Sequence, residues 1–151
     1  MNRAWLGVLL VLLALLSGSL FFVRGYHDLY WLNPAVFIIL TIIGVASALA
    51  GGFLVGRNLI MRQKGRVGAL RSLWTGAGVL VALLGVVLGT LAIGLALGVS
   101  ATGYWGQAPY DYNGDYMIMG LQIMAFQASI VPEIVGGFLV GAGLRMKAQN
   151  G

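Results

Sequence analysis

Gly51-Gly52-Phe53-Leu54-Val55-Gly56 recurs letter for letter as Gly136-Gly137-Phe138-Leu139-Val140-Gly141, 85 residues further along the chain. At the same spacing Leu59 matches Leu144, Met61 matches Met146, and Arg62 is answered by Lys147. One apolar unit is thus used twice, each time ending in a basic cap. The copies part at a position of chemical weight: Glu133 stands where the first copy has Ala48.

Around these copies the chain is 151 residues long, 60% hydrophobic and only 9% charged, far from the composition of a soluble domain. Apolar runs cover residues 5–23, 35–55, 73–97 and 117–139. Each approaches or exceeds the roughly 20 residues that a hydrocarbon core of about 30 Å demands of a helix. The expected fold is all-α and integral to the membrane: a four-helix transmembrane bundle forming one domain. It is built from two hairpins, repeat 1 over about residues 1–65 and repeat 2 over about 70–151. Two spans per unit make the repeats parallel rather than inverted, related by an axis near the membrane normal.

The net charge of +5 is not a nucleic-acid signature, because the cations flank apolar runs instead of forming a patch interleaved with aromatics. In a four-span arrangement Arg3, Arg57, Arg62, Lys64, Arg66, Arg71, Arg145 and Lys147 fall on one side and Arg24 alone on the other. The bias toward basic cytoplasmic segments then puts both termini and the central loop in the cytoplasm. A prokaryotic cytoplasmic (inner) membrane is the expected location. Arg57, Arg62, Lys64, Arg66 and Arg71 also make the central loop a candidate for anionic lipid. The chain has no cysteine, which excludes disulfides and thiolate metal sites.

Arg3 followed by an apolar run and Ser17-Gly18-Ser19 has the outline of a secretory signal. The run continues through Phe21, Phe22 and Val23, which favours an uncleaved first span. Arg3-Ala4-Trp5 opens that span much as Arg71-Ser72-Leu73-Trp74 opens the third. The outer segments are aromatic. Tyr30-Trp31 and Tyr104-Trp105, with Asp111 and Asp115, read as headgroup-depth contacts, and lipid, quinone or pigment are sharper alternatives. Residues 111–115 open like an EF-hand loop, but Tyr116 and Gln122 occupy its required Gly and Glu positions, so no metal is expected.

Small residues at four-residue spacing point to close helix packing. Gly44, Ala48, Gly52 and Gly56 form one such row, and Gly85 with Gly89, Gly94 with Gly98, and Gly137 with Gly141 form others. Ser129, Glu133, Gly137 and Gly141 share a spacing that places the carboxyl on the same seam as the repeat glycines. Pro132 precedes it and predicts a kink.

An ionised carboxylate in hydrocarbon is costly, so Glu133 is expected to be neutral, paired or hydrated. No Lys, Arg or His lies within a span to pair with it. Thr41, Ser47, Thr90, Gln122 and Gln127 are the hydrogen-bonding candidates, and Gln127 and Ser129 share its apolar run. The functional alternative makes Glu133 a proton or cation carrier. His27 is the only histidine, and no triad order, phosphate loop or dinucleotide fingerprint is present, so enzyme chemistry and cofactors are not expected. The leading expectation is a non-catalytic accessory or structural subunit of a larger membrane complex. The alternative is a homo-oligomeric proton- or cation-coupled transporter or channel, with Glu133 at the seam between copies.

Overall fold

The computed structural model describes residues 3–23, 34–59, 67–101 and 114–147, with side-chain surroundings over 3–19, 35–59, 71–97 and 120–145. The described residues are all helical: α1 is Arg3–Val23, α2 Pro34–Leu59, α3 Val67–Ala101 and α4 Gly114–Lys147. Apolar stretches of 25, 27 and 26 residues, Ala35–Leu59, Arg71–Leu97 and Gly120–Arg145, make α2, α3 and α4 long enough to cross a membrane. The apolar part of α1, Arg3–Ser19, is shorter. Three such helices mark a membrane protein.

Local chemistry accounts for the helices. In hydrocarbon a helix satisfies its backbone groups within one segment, which irregular structure cannot do. Proline begins α2 at Pro34, where a missing N–H costs nothing. The hydroxyl groups are hidden against their own helix: Thr41 Oγ1 donates to the Phe37 carbonyl at 2.9 Å, and Thr90 Oγ1 to that of Val86 at 2.8 Å. Helix α4 continues through Pro132.

The helix ends reach further than the apolar runs. Arg57 lies in the last turn of α2 and Arg71 inside α3, so both are helical and not loop residues. Asp115 falls in the first turn of α4, outside the loop expected to hold it. Tyr30, Trp31, Tyr104, Trp105, Asp111, His27, Arg62, Lys64 and Arg66 lie outside the described residues.

Helix α4 is the hub. It packs most extensively on α3 and next on α2, while α1 packs on α2; α2 and α3 meet less, and α1 and α4 less still. The core is made of small side chains, including Ala14, Ala48, Ala92 and Ala96, around Phe126 and Ile130. Phe37 of α2 meets Phe126 edge to face, with ring centroids 6.2 Å apart and planes at 71°. Lipid is as apolar as leucine, so such helices associate by close packing more than by escape from water.

Candidate functional site: a buried carboxyl beside a glycine seam

The repeated hexapeptide is where α2 and α4 touch. A Cβ added to Gly52 would collide with the Ile134 carbonyl, and one added to Gly56 with that of Phe138. In the other direction, a Cβ on Gly137 would stand 2.5 Å from the Leu49 carbonyl oxygen, and one on Gly141 would collide with that of Phe53. Shifting either partner by 85 turns one contact into the other. Neighbouring Gly51 and Gly136 point elsewhere: Gly51 packs on Gly7 and Val11 of α1, Gly136 on Ala82 of α3. Two adjacent glycines, about 100° apart around a helix, thus serve two different helices.

Glu133 is fully buried, and neither carboxylate oxygen has a hydrogen-bond partner among the described residues. It faces α3. A Cβ on Gly85 would collide with Glu133 Cγ, and one on Gly89 would lie 3.7 Å from Glu133 Oε1 and 3.8 Å from Ser129 Oγ. Gly85, Gly89, Ser129 and Glu133 therefore form one small cluster in the α3–α4 contact. This separates the carboxyl from the seam of Gly137 and Gly141, which face α2. Four residues advance a helix by about 400°, so a four-residue row drifts about 40° per step and about 120° from 129 to 141. That drift carries the row from one neighbouring helix to the other.

The anticipated hydrogen-bond partners do not reach the carboxyl. Thr41 and Thr90 donate within their own helices, and Thr90 is exposed. Gln127 Nε2 donates to the Gly18 carbonyl at 3.3 Å, tying α4 to α1. Gln122 is itself buried with Nε2 unpartnered. Ser129 lies beside Glu133, but its Oγ donates to the Phe126 carbonyl at 2.7 Å. Within the chain, Glu133 is fully buried.

The remaining packing residues divide. Ala48 is fully buried. Gly44 sits against Ser17 of α1 and Phe126 of α4. Gly94 has nothing within 4 Å of an added Cβ among the described residues. Sequence reading missed Gly7, Gly18 and Gly78. An added Cβ would lie 2.9 Å from Leu54 Cβ at Gly7, 2.7 Å from Ile130 Cδ1 at Gly18 and 2.8 Å from the Val140 amide nitrogen at Gly78. The signal was a second spacing of 71 residues, which pairs Gly7 with Gly78 and Gly18 with Gly89. It also pairs Arg3 with Trp74, displacing the match of Arg3 to Arg71. Comparison with protein-family models, curated proteins and solved structures gave no match.

Proposed function

We propose that the chain is a multi-pass integral-membrane protein whose working group is Glu133, a carboxyl that accepts and releases a proton between α3 and α4. One observation carries this reading: Glu133 is fully buried, with neither oxygen hydrogen-bonded among the described residues, in room left by Gly85. An apolar residue would fill the place without the cost of a desolvated acid, and intramembrane carboxyls mark ion and proton paths. A proton needs a single oxygen. Calcium and magnesium take six or more ligands, which one carboxyl beside one already engaged hydroxyl is poorly suited to supply.

In this reading four spans form a bundle of two hairpins, α1–α2 and α3–α4, related by a pseudo-twofold axis near the membrane normal. The contacts that support it come in equivalent pairs. Gly52 on Ile134 answers Gly137 on Leu49, and Gly18 on Ile130 answers Gly89 on Val45. The counterparts of Gly85 and Glu133 are then Ala14 and Ala48, both fully buried. Two alanines in one hairpin stand against a glycine and a glutamate in the other: volume added on α4 is removed from α3. The acid has a place built for it. The basic ends face the cytoplasm, with both termini inside, and the membrane is the inner membrane of a prokaryote.

The test is proton flux in liposomes holding the purified protein under an imposed pH gradient. Wild type is expected to dissipate the gradient and Glu133→Gln to leave it near the rate of empty vesicles. A Glu133→Gln protein as fast as wild type sinks the reading.

A second reading, a non-catalytic accessory subunit of a larger membrane complex, is favoured by the outer face of α3. Leu73, Leu80 and Val87 recur there every seven residues with 67%, 69% and 63% of their surface exposed, and Gly94 continues the row with open space beside it. A small residue in an apolar stripe lets a partner helix approach closely. Gly94→Leu then strips partners from the protein during gentle detergent purification. Proton flux by the isolated protein counts against this second reading.

A further inference from the structure

Among the described residues, the buried side-chain polar atoms without a hydrogen-bond partner are Gln122 Nε2 and the two oxygens of Glu133. Both residues belong to the α3–α4 seam. On α4, Gln122, Ser129, Gly136 and Gly143 recur every seven residues, only about 20° short of two full turns, so they share one face. Three of them meet α3: Gly143 at Thr75, Gly136 at Ala82 and Ser129 at Gly89. Those partners are also seven apart, and the next step of the antiparallel ladder sets Gln122 opposite Ala96. Gln122 and Ala96 are both buried, as that step requires. Glu133 stands beside the row, against Gly85.

The rungs of this ladder are not equally close. A Cβ on Gly143 would collide with Thr75 Oγ1, and one on Gly136 with the Ala82 backbone. Between them, a Cβ on Gly78 would stand 2.8 Å from the Val140 amide nitrogen. At Gly89 the nearest α4 atoms are side-chain oxygens, Glu133 Oε1 at 3.7 Å and Ser129 Oγ at 3.8 Å, and the α4 backbone is farther off. The helices therefore part toward the Gln122 end. Glu133 leans the same way: its Cγ meets Gly85, while Oε1 reaches Gly89, one turn nearer that end. Helical side chains tilt toward the N-terminus, which for α4 is this direction.

Glu133 lies at the middle of the 26-residue apolar stretch Gly120–Arg145. At 1.5 Å per residue Ser129 is about 6 Å outward along the axis, and Gln122 about 16 Å, near the end of the stretch. In the other direction the row offers Gly136 and Gly143, which carry no polar side chain.

We infer that water enters the α3–α4 seam from the Gln122 end as far as Glu133, while the Arg145 end stays closed to it. The inference rests on the proton-carrier reading for its use: the carboxyl then exchanges its proton with the outer side. The hydrogen-bonding groups suit water. Gln122 Nε2 only donates. Ser129 gives its proton to the Phe126 carbonyl at 2.7 Å, so its oxygen is left to accept, and Glu133 does either according to its protonation. Water does both and can join the three. Gln122 and Ser129 are about 10 Å apart along the axis, a file of roughly three waters at about 2.8 Å per hydrogen bond. On the α3 side only the methyl groups of Ala92 and Ala96 close the seam there, whereas at Gly136 and Gly78 backbone meets side chain and backbone with no room for a methyl.

The chain has no cysteine, so a single introduced thiol reports on access. Full-length Ser129→Cys and Val140→Cys proteins in nanodiscs are exposed to Ag⁺, a small soft cation that follows water and that thiolate binds well. The S–H bond breaks, an S–Ag bond forms, and the proton passes to water. Intact mass then reads the silver bound against time, with wild type setting the background from its six methionines. Ser129→Cys is expected to take up silver, and Val140→Cys at least about tenfold more slowly. Adding Gln122→Leu to Ser129→Cys should slow uptake by about tenfold, since entering water loses one hydrogen bond. Thermal melting checks that each variant folds, and Gln122→Met replaces Gln122→Leu if the latter does not. A silent Ser129→Cys overturns the inference. Equal uptake at Val140→Cys overturns it too, as does uptake at Ser129→Cys that ignores the change at Gln122. Proton flux by wild type in liposomes is recorded in parallel. One-sided silver access without flux sinks the carrier reading and keeps the water route; flux with equal access at both positions does the reverse.

Discussion

The α1–α2 pair and the α3–α4 pair treat one position in opposite ways. In the first, Ala14 and Ala48 are both buried, and no polar atom is at stake. In the second, Gly85 gives up its side chain, and Glu133 fills the space with a carboxyl that has no hydrogen-bond partner among the described residues. The backbone contacts on either side agree between the pairs, since Gly7 and Gly78 both pack against the Leu-Val step of a hexapeptide. The difference is therefore one of chemistry laid on common packing. A scaffold can hold an expensive group when a single neighbouring residue yields the volume.

That contrast can be broken experimentally, most severely at the shared seam. Gly137→Leu forces a side chain into the Leu49 carbonyl and should cost more than about 3 kcal/mol, preventing recovery of folded protein in mild detergent. Normal yield and melting would show that α2 and α4 are not in contact there. Gly85→Ala sets a methyl against Glu133 Cγ and should destabilise by about 1–3 kcal/mol. Adding Glu133→Ala recreates the alanine pair of the first hairpin and should restore stability or raise it above wild type, because an unsatisfied buried group is removed. Additive losses in that double variant would separate the two positions.

Smaller effects sharpen the comparison. Gln127→Ala removes a bond to the Gly18 carbonyl and should cost about 0.5–1.5 kcal/mol in a detergent melt. Gly76→Ala is the control: open space surrounds it, so a melt should show no loss and a gain of up to about 1 kcal/mol from helix propensity. A loss at Gly76 would reveal a neighbour beyond the described residues.

Much of this was legible before any coordinates. Apolar length announced membrane-crossing helices; that the two hexapeptides pack on one another was not legible in the repeat itself. Glu133 stood out because its run holds no other charge. The companion role of Gly85 was not legible, for it read as one packing glycine among several. Its partner is determined by helix rotation and by which neighbour each turn faces, and spacing within one helix does not contain that. The four-residue row through Glu133 misled for the same reason, as slow drift around the helix moved it from the α2 side to the α3 side. Gly94 shows the converse: a GxxxG pair records small size, and in this chain the small residue opens outward.

The reciprocal contact between the hexapeptides has a consequence for how the two halves can diverge. Each copy is the mould in which the other sits, since Gly52 lies under the carbonyl three residues before Gly137 and Gly137 under the one three residues before Gly52. A bulkier residue accepted at Gly52, Phe53 or Gly56 alters the surface that the other copy must fit, so these three positions and their counterparts are bound to change together or stay as they are. One turn earlier Glu133 packs against Gly85 of α3. Identity persists where the halves constrain each other, and novelty enters at the first turn where each half has a neighbour of its own.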